Sequence, residues 1–210
     1  MAGEASWSFV FCPALELIME AFFVSTGVVA LAEIGDKTQL LAFILAARFK
    51  KPVPIIIGIL CATIINHGLA GALGAWITTT ISPEILRWIL GASFIGMAVW
   101  TLIPDKIEDE ETQVASKLGV FGATFITFFL AEMGDKTQIA TIAMAAHYGT
   151  PLVVVAGTTL GMLLADVPAV FIGDKLASKI PMRLVHSIAA AIFAALGVAT
   201  LLGAGAKLGF

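Results

Sequence analysis

Charge is what this sequence of 210 residues has least of. Lys, Arg, Asp and Glu together make 13% of it, where a soluble domain carries roughly a quarter. Hydrophobic residues make 59%, and the mean hydropathy is +0.99. This excludes an ordinary water-soluble globule and reads as an integral membrane protein. Cysteine is nearly absent. Cys12 and Cys61 form no disulfide framework, and no Cys/His cluster has zinc spacing. No His-Glu-x-x-His or Gly-x-Ser-x-Gly arrangement occurs, so an enzyme is not expected. Residues 1–11 hold Glu4 but no Lys or Arg, unlike the positive start of a secretory signal or an Arg-rich transit peptide. The net charge of −3 says little about partners, because the charges are clustered; no nucleic-acid partner is expected.

What the chain does have is one heptapeptide twice. Glu33-Ile34-Gly35-Asp36-Lys37-Thr38-Gln39 returns as Glu132-Met133-Gly134-Asp135-Lys136-Thr137-Gln138. Each copy sits inside a long apolar stretch. Ionisable side chains there cost about 2.5–3.5 kcal/mol each on insertion scales, and intramembrane charge is functional by default.

A span needs about 20 apolar residues. Six are read from the sequence, over residues 14–47, 53–79, 85–103, 118–146, 151–172 and 184–202. The first and fourth are too long for one straight crossing, so they kink or break at the motif, where Gly35 and Gly134 fall. Trp88 and Trp100 are interface anchors of the third. The only long polar stretch is Pro104-Asp105-Lys106-Ile107-Glu108-Asp109-Glu110-Glu111.

The repeat is wider than the motif. A shift of 99 residues also overlays Phe22 on Phe121, Gly58 on Gly157, Gly74 on Gly173, Phe94 on Phe193 and Thr101-Leu102 on Thr200-Leu201. The expected organisation is an N-terminal segment (1–17), a three-helix repeat (18–103), an acidic linker (104–117) and a second three-helix repeat (118–205). Three is odd, so the second repeat enters the membrane inverted, the plan of many secondary transporters. The expected fold class is all-α: a six-transmembrane-helix bundle of two inverted repeats. Arg48, Lys50, Lys51, Lys106, Lys117, Lys175, Lys179 and Arg183 fall on one side, against Arg87 and Lys207 on the other. The positive-inside rule makes the first side cytoplasmic, with both termini outside.

On a helix, residues three apart share a face. Glu33 with Asp36, and Glu132 with Asp135, then converge near the midplane. Such carboxylates, with neutral oxygens from Thr38, Gln39, Thr137 and Gln138, suit a hard cation such as Mg²⁺, Ca²⁺ or Mn²⁺. Four carboxylates with Lys37 and Lys136 leave a formal charge of −2 when all are ionised. One divalent cation or two protons neutralise that, which is sufficient for antiport. Asp166 occupies in the repeat frame the place of His67, and is read as a partner of His67 or a lysine, a further ligand, or a proton carrier. Asn66 and His67 are read either as interhelical hydrogen-bonding groups or as supports of the site. The bland alternative is that the motifs form interlocking salt bridges that only fasten the halves. His147 and His186 are read as interfacial and uninformative. Glu16 and Glu20 belong to the surface or to an outer vestibule.

The doubled Glu-x-Gly-Asp-Lys-Thr block, one per three-span half with an acidic loop between, resembles the UPF0016 family of cation transporters, also called the GDT1 or TMEM165 family. The resemblance covers residues 18–202. It implies transport of Mn²⁺ and Ca²⁺ in exchange for protons, with manganese export in bacterial relatives and Golgi or chloroplast roles in eukaryotic ones. It puts the essential acids on Glu33, Asp36, Glu132 and Asp135, with Lys37, Thr38, Lys136 and Thr137 completing the motifs. The short chain fits prokaryotic members, which implies the inner (plasma) membrane. Divalent cations, protons and lipid are the expected partners; no cofactor is expected, and homo-oligomerisation is left open. The competing readings are a passive divalent-cation channel, a Ca²⁺/H⁺ antiporter with Mn²⁺ secondary, and a scaffold or metal sensor signalling through the acidic linker.

Overall fold

The computed structural model describes residues 13–103, 118–172 and 182–203. The acidic linker, residues 1–12, Lys175, Lys179 and Lys207 lie outside the described residues. What is described is helical, with no strand among the described residues. The elements are α1 (Pro13–Glu33), α2 (Lys37–Phe49), α3 (Pro52–Thr80), α4 (Pro83–Thr101), α5 (Gly119–Glu132), α6 (Lys136–Tyr148), α7 (Pro151–Ile172) and α8 (Met182–Leu201).

Helix boundaries follow local chemistry, and several recur at the 99-residue spacing. α1 stops at Glu33 and α5 at Glu132; α2 starts at Lys37 and α6 at Lys136. Gly35 (φ 87°) and Gly134 (φ 78°) turn the chain between them in the left-handed region, which a residue without Cβ enters freely. α2 ends on Lys50 (φ 52°), and α6 on Gly149 (φ 64°). Their N–H groups bond the carbonyls of Ala46 (2.9 Å) and Ala145 (3.1 Å). Pro52 and Pro151 then open α3 and α7, at the helix position where a missing N–H costs nothing.

Close contacts give the helix directions. Gly157 of α7 packs against Phe22 and Ser25 of α1, and Gly161 against Thr26 and Ala30, so α1 and α7 run parallel. Gly58 of α3 packs against Phe121 and Thr124 of α5, and Asn66 bonds Phe129 further on, so α3 and α5 are parallel too. His67 of α3 meets Thr158 of α7 while Gly71 meets Val155 and Pro151, an antiparallel pair. Gly91 of α4 lies against Leu201, and Gly197 of α8 against Ile95, also antiparallel. Ser25 and Phe22 are the 99-residue equivalents of Thr124 and Phe121. Each long helix thus packs against the motif-bearing helix of the other half of the chain, through small residues that let backbones approach.

Two apolar clusters flank these crossings. One gathers Val28, Val29, Phe94, Met144, Met162 and Phe193; the other gathers Leu41, Leu45, Ile55, Ile59 and Phe128. Neither includes a motif residue. Among the described residues, three helical stretches are long and apolar enough to cross a membrane: Leu15–Glu33, Pro52–Thr80 and Pro151–Phe171. Gly119–Glu132 and His186–Leu201 are apolar but shorter. The expected fourth span is divided, because the motif ends α5 after 14 residues and α6 adds 13 after the turn.

Candidate cation site

The site is built where two helices end and two begin. Glu33 and Glu132 are the last residues of α1 and α5. Asp36 and Asp135 cap α2 and α6 in extended conformation (ψ 172° and 166°). Asp36 Oδ1 accepts the Lys37 N–H at 2.8 Å. Aspartate suits this place twice over, since it satisfies an orphan donor and sits at the positive end of the helix dipole. The turns are closed by the glutamines: Gly35 N–H donates to Gln39 Oε1 (2.9 Å), and Gly134 N–H to Gln138 Oε1 (2.8 Å).

The threonines orient the glutamates. Thr38 Oγ1 donates to Glu33 Oε2 at 2.5 Å, and Thr137 Oγ1 to Glu132 Oε2 at 3.0 Å. Both glutamates are completely buried, and the Oε1 atom of each has no hydrogen-bond partner among the described residues. Glu33, Glu132 and Asp135 converge, each offering one carboxylate oxygen within 4.8 Å of the others. Asp36 lies beside Glu33 and holds Lys136, with Nζ–Oδ2 2.8 Å. Lys37 reaches back to Asp135 at a looser 3.8 Å and is 18% exposed. These two ion pairs therefore run crosswise between the motifs, aspartate to lysine.

The remaining sequence candidates fall as follows. Asp166 is buried, with neither carboxylate oxygen hydrogen-bonded among the described residues. Its charge acts on Glu132, and that of Glu33 acts on it. His67 meets Thr158 Oγ1 through Nδ1 at 3.0 Å. Equivalent positions on an antiparallel pair face each other only at the crossing, and His67 bonds eight residues short of Asp166. Asn66 serves α5. Met133 N–H bonds Leu130 O in a tightened last turn (3.2 Å), and Asn66 Nδ2 donates to Phe129 O at 3.0 Å. At the first motif Ile34 N–H bonds Ala30 O (3.2 Å), and the equivalent of Asn66 is Ala165. Gln39 Nε2 donates to the Ala165 carbonyl at 3.0 Å.

One contributor was missed from the sequence. His186 of α8 bonds the Ile34 carbonyl, inside the first motif, through Nε2 at 2.9 Å. The available signal was the repeat frame, which puts Arg87 at the corresponding place. Glu20 is exposed and receives a long bond from the Tyr148 hydroxyl (3.5 Å).

Chemically, buried carboxylates gathered at the C-terminal ends of α1 and α5 and at the caps of α2 and α6 are an all-oxygen donor set of the kind that suits a hard cation. Comparison with known proteins gives the family. The family described as "Divalent cation/proton antiporter GDT1" matches residues 21–109 and again residues 120–207. A Vibrio cholerae protein named "Putative manganese exporter" is 51% identical over 190 residues, covering 90% of this chain and 94% of the relative. GDT1-like protein 3 of Oryza sativa is 30% identical, covering 87% of this chain and 74% of its own length. GDT1-like protein 5 of Arabidopsis thaliana is 30% identical, covering 88% and 96%. No solved structure matches the chain. The family match covers both motif copies and most of the described helices, and the chain belongs to this GDT1 family of divalent-cation transporters.

Proposed function

We propose that this protein exports divalent cations, Mn²⁺ first, across the inner (plasma) membrane in exchange for protons. Glu33, Glu132 and Asp135 bind the ion directly. Asp36 joins them when Lys136 is displaced. Thr38, Thr137, Gln39 and Gln138 supply neutral oxygens as the turns open. Lys37 and Lys136 balance charge. Asp166, buried without a hydrogen-bond partner among the described residues, takes cation or proton, while His67 and Asn66 hold the surrounding helices. The observation that carries the reading is the convergence of Glu33, Glu132 and Asp135 oxygens within 4.8 Å at broken helix ends.

The helix directions support the inverted plan. α3 opposes α7, α4 opposes α8, and α1 runs with α7 while α3 runs with α5. Joining α1 to α2 and α5 to α6 makes six crossings, with both termini outside and the acidic linker cytoplasmic. The two separate family matches support two repeats of about the proposed extent. Manganese is favoured by the name of the Vibrio cholerae relative; the all-oxygen donor set suits Ca²⁺ as well, and calcium is the second substrate.

The test is uptake of Mn²⁺ and, separately, Ca²⁺ into proteoliposomes under an imposed pH gradient, for wild type, Glu33→Gln and Glu132→Gln. Uphill uptake driven by the gradient and lost in both variants is the expected result. Flux that ignores the gradient would make the protein a passive channel. Absence of flux in folded wild type would return the motifs to a fastening role.

A further inference from the structure

Besides the ion pairs to the second motif, the first motif is held by a side chain of α8. Ile34 follows the last residue of α1, where helix carbonyls lose their internal partners. His186 of α8 supplies the missing donor at 2.9 Å. A carbonyl only accepts, so Nε2 carries the proton. The bond fixes the peptide between Ile34 and Gly35, and Gly35 (φ 87°) is the pivot that sets Glu33 against Asp36. α8 also packs closely on α4 through Gly91 and Gly197. The α4–α8 pair therefore has a direct mechanical connection to one of the two motifs. In the repeat frame Arg87 stands at the corresponding place, but its guanidinium lies over Trp88 at 5.8 Å. On the second half the bond from outside falls earlier: Asn66 donates to Phe129 O in the last turn of α5, three residues before Glu132. The two glutamates thus rest on unlike supports.

We propose that His186 is a positioning residue for transport, holding the first motif's turn so that Glu33 stays in the cation cluster. The proposal rests on the transport reading above. It assigns α8 a task beyond packing: displacement of α8 loosens the turn after Glu33 and leaves Glu132, whose helix is bonded by Asn66, in place, so the two carboxylates release the ion in sequence.

The experiment compares wild type, His186→Gln, His186→Leu and Glu33→Gln in Mn²⁺ uptake by proteoliposomes under a pH gradient, with folding checked by thermal unfolding in detergent. His186→Leu removes the donor at similar volume. Its KM for Mn²⁺ is expected to rise about tenfold or more with a smaller change in maximal rate, as for loss of a residue that orients a ligand. His186→Gln keeps an N–H donor and is expected to stay within about threefold of wild type. Wild-type KM in His186→Leu, or equal loss in both folded variants, overturns the proposal. If His186→Leu does not fold, the glutamine variant decides alone, since a tenfold KM rise there also overturns it. Full uptake in Glu33→Gln would instead bring down the transport reading and this inference with it. Loss in Glu33→Gln beside wild-type behaviour in His186→Leu would sink only the role of His186.

Discussion

Lys136 Nζ lies 2.8 Å from Asp36 Oδ2, with the two side chains 2% and 1% exposed. This contact joins residues of different motif copies inside an apolar bundle. Its counterpart, Lys37 to Asp135, is a full ångström longer and has the more exposed lysine, with 3.8 Å and 18%. The repeat is therefore symmetric in sequence and asymmetric in strength. The tight pair is wholly buried, while Asp135 of the loose one also lies with the glutamates.

Breaking the tight pair on one side is expected to be costly. Lys136→Gln removes the lysine charge beside the buried Asp36 carboxylate and should destabilise by about 3–5 kcal/mol. Lys37→Gln, at the looser pair with the more exposed lysine, should cost clearly less. The double change Lys136→Gln with Asp36→Asn should recover most of the loss. Thermal unfolding of the purified variants in detergent reads all three. Equal effects of the two lysine changes would contradict the asymmetry.

The motif turn can be probed without touching a ligand. A Cβ added at Gly134 meets nothing within 4 Å, yet its φ is +78°. Gly134→Ala should therefore cost only the backbone term, about 1–2 kcal/mol. Gly134→Asn should cost less, because asparagine tolerates this region. The reverse order in a stability measurement would place the cost in packing instead.

Two equivalent glycines should respond differently to the same change. At Gly58 an added Cβ lies 2.8 Å from the Thr124 Cβ, whereas at Gly157 it lies 2.7 Å from the Phe22 carbonyl oxygen. Overpacking costs about 1–3 kcal/mol. Gly58→Ala should be largely rescued by Thr124→Gly, since the obstacle is a side chain. Gly157→Ala should resist rescue by Ser25→Gly, since the backbone of α1 stands in the way. Melting temperatures of the four variants and the two pairs decide it.

The threonine hydroxyls are expected to matter through the glutamates they orient. Thr38→Val should weaken Mn²⁺ binding about 10–100-fold, the usual effect of removing a group that orients a metal ligand. Thr38→Ser should stay near wild type. Titration of detergent-solubilised protein with Mn²⁺, followed by electron paramagnetic resonance, measures this. Unchanged affinity in Thr38→Val would remove Glu33 from the ligand set.

Much of the site was legible because its signals are local. Charges in an apolar stretch mark the motif and glycine marks the break, but the shared helical face expected of Glu33 with Asp36 and of Glu132 with Asp135 does not form, because the helix ends at each glutamate and each aspartate caps the next one. The prolines at 52 and 151 announce the next helices. These depend on neighbours within a few residues, which the order of amino acids states directly. His67 and Asp166 show where that reasoning stops. The repeat frame put them at equivalent positions, with pairing one of several open readings; they sit on helices that pass in opposite directions, and His67 reaches Thr158.

The sequence by itself determined an apolar helical chain, broken twice at one polar motif and repeated at a spacing of 99 residues. Hydropathy and backbone chemistry are properties of short segments, which is why these followed. Only the tertiary structure decided that lysines pair crosswise with aspartates, that Glu33, Glu132 and Asp135 are the three that converge, and that His186 reaches the first motif from the last described helix. Those outcomes depend on how helices distant in sequence cross and on which backbones small residues allow to touch, and a difference of a few ångströms separates a ligand from a neighbour.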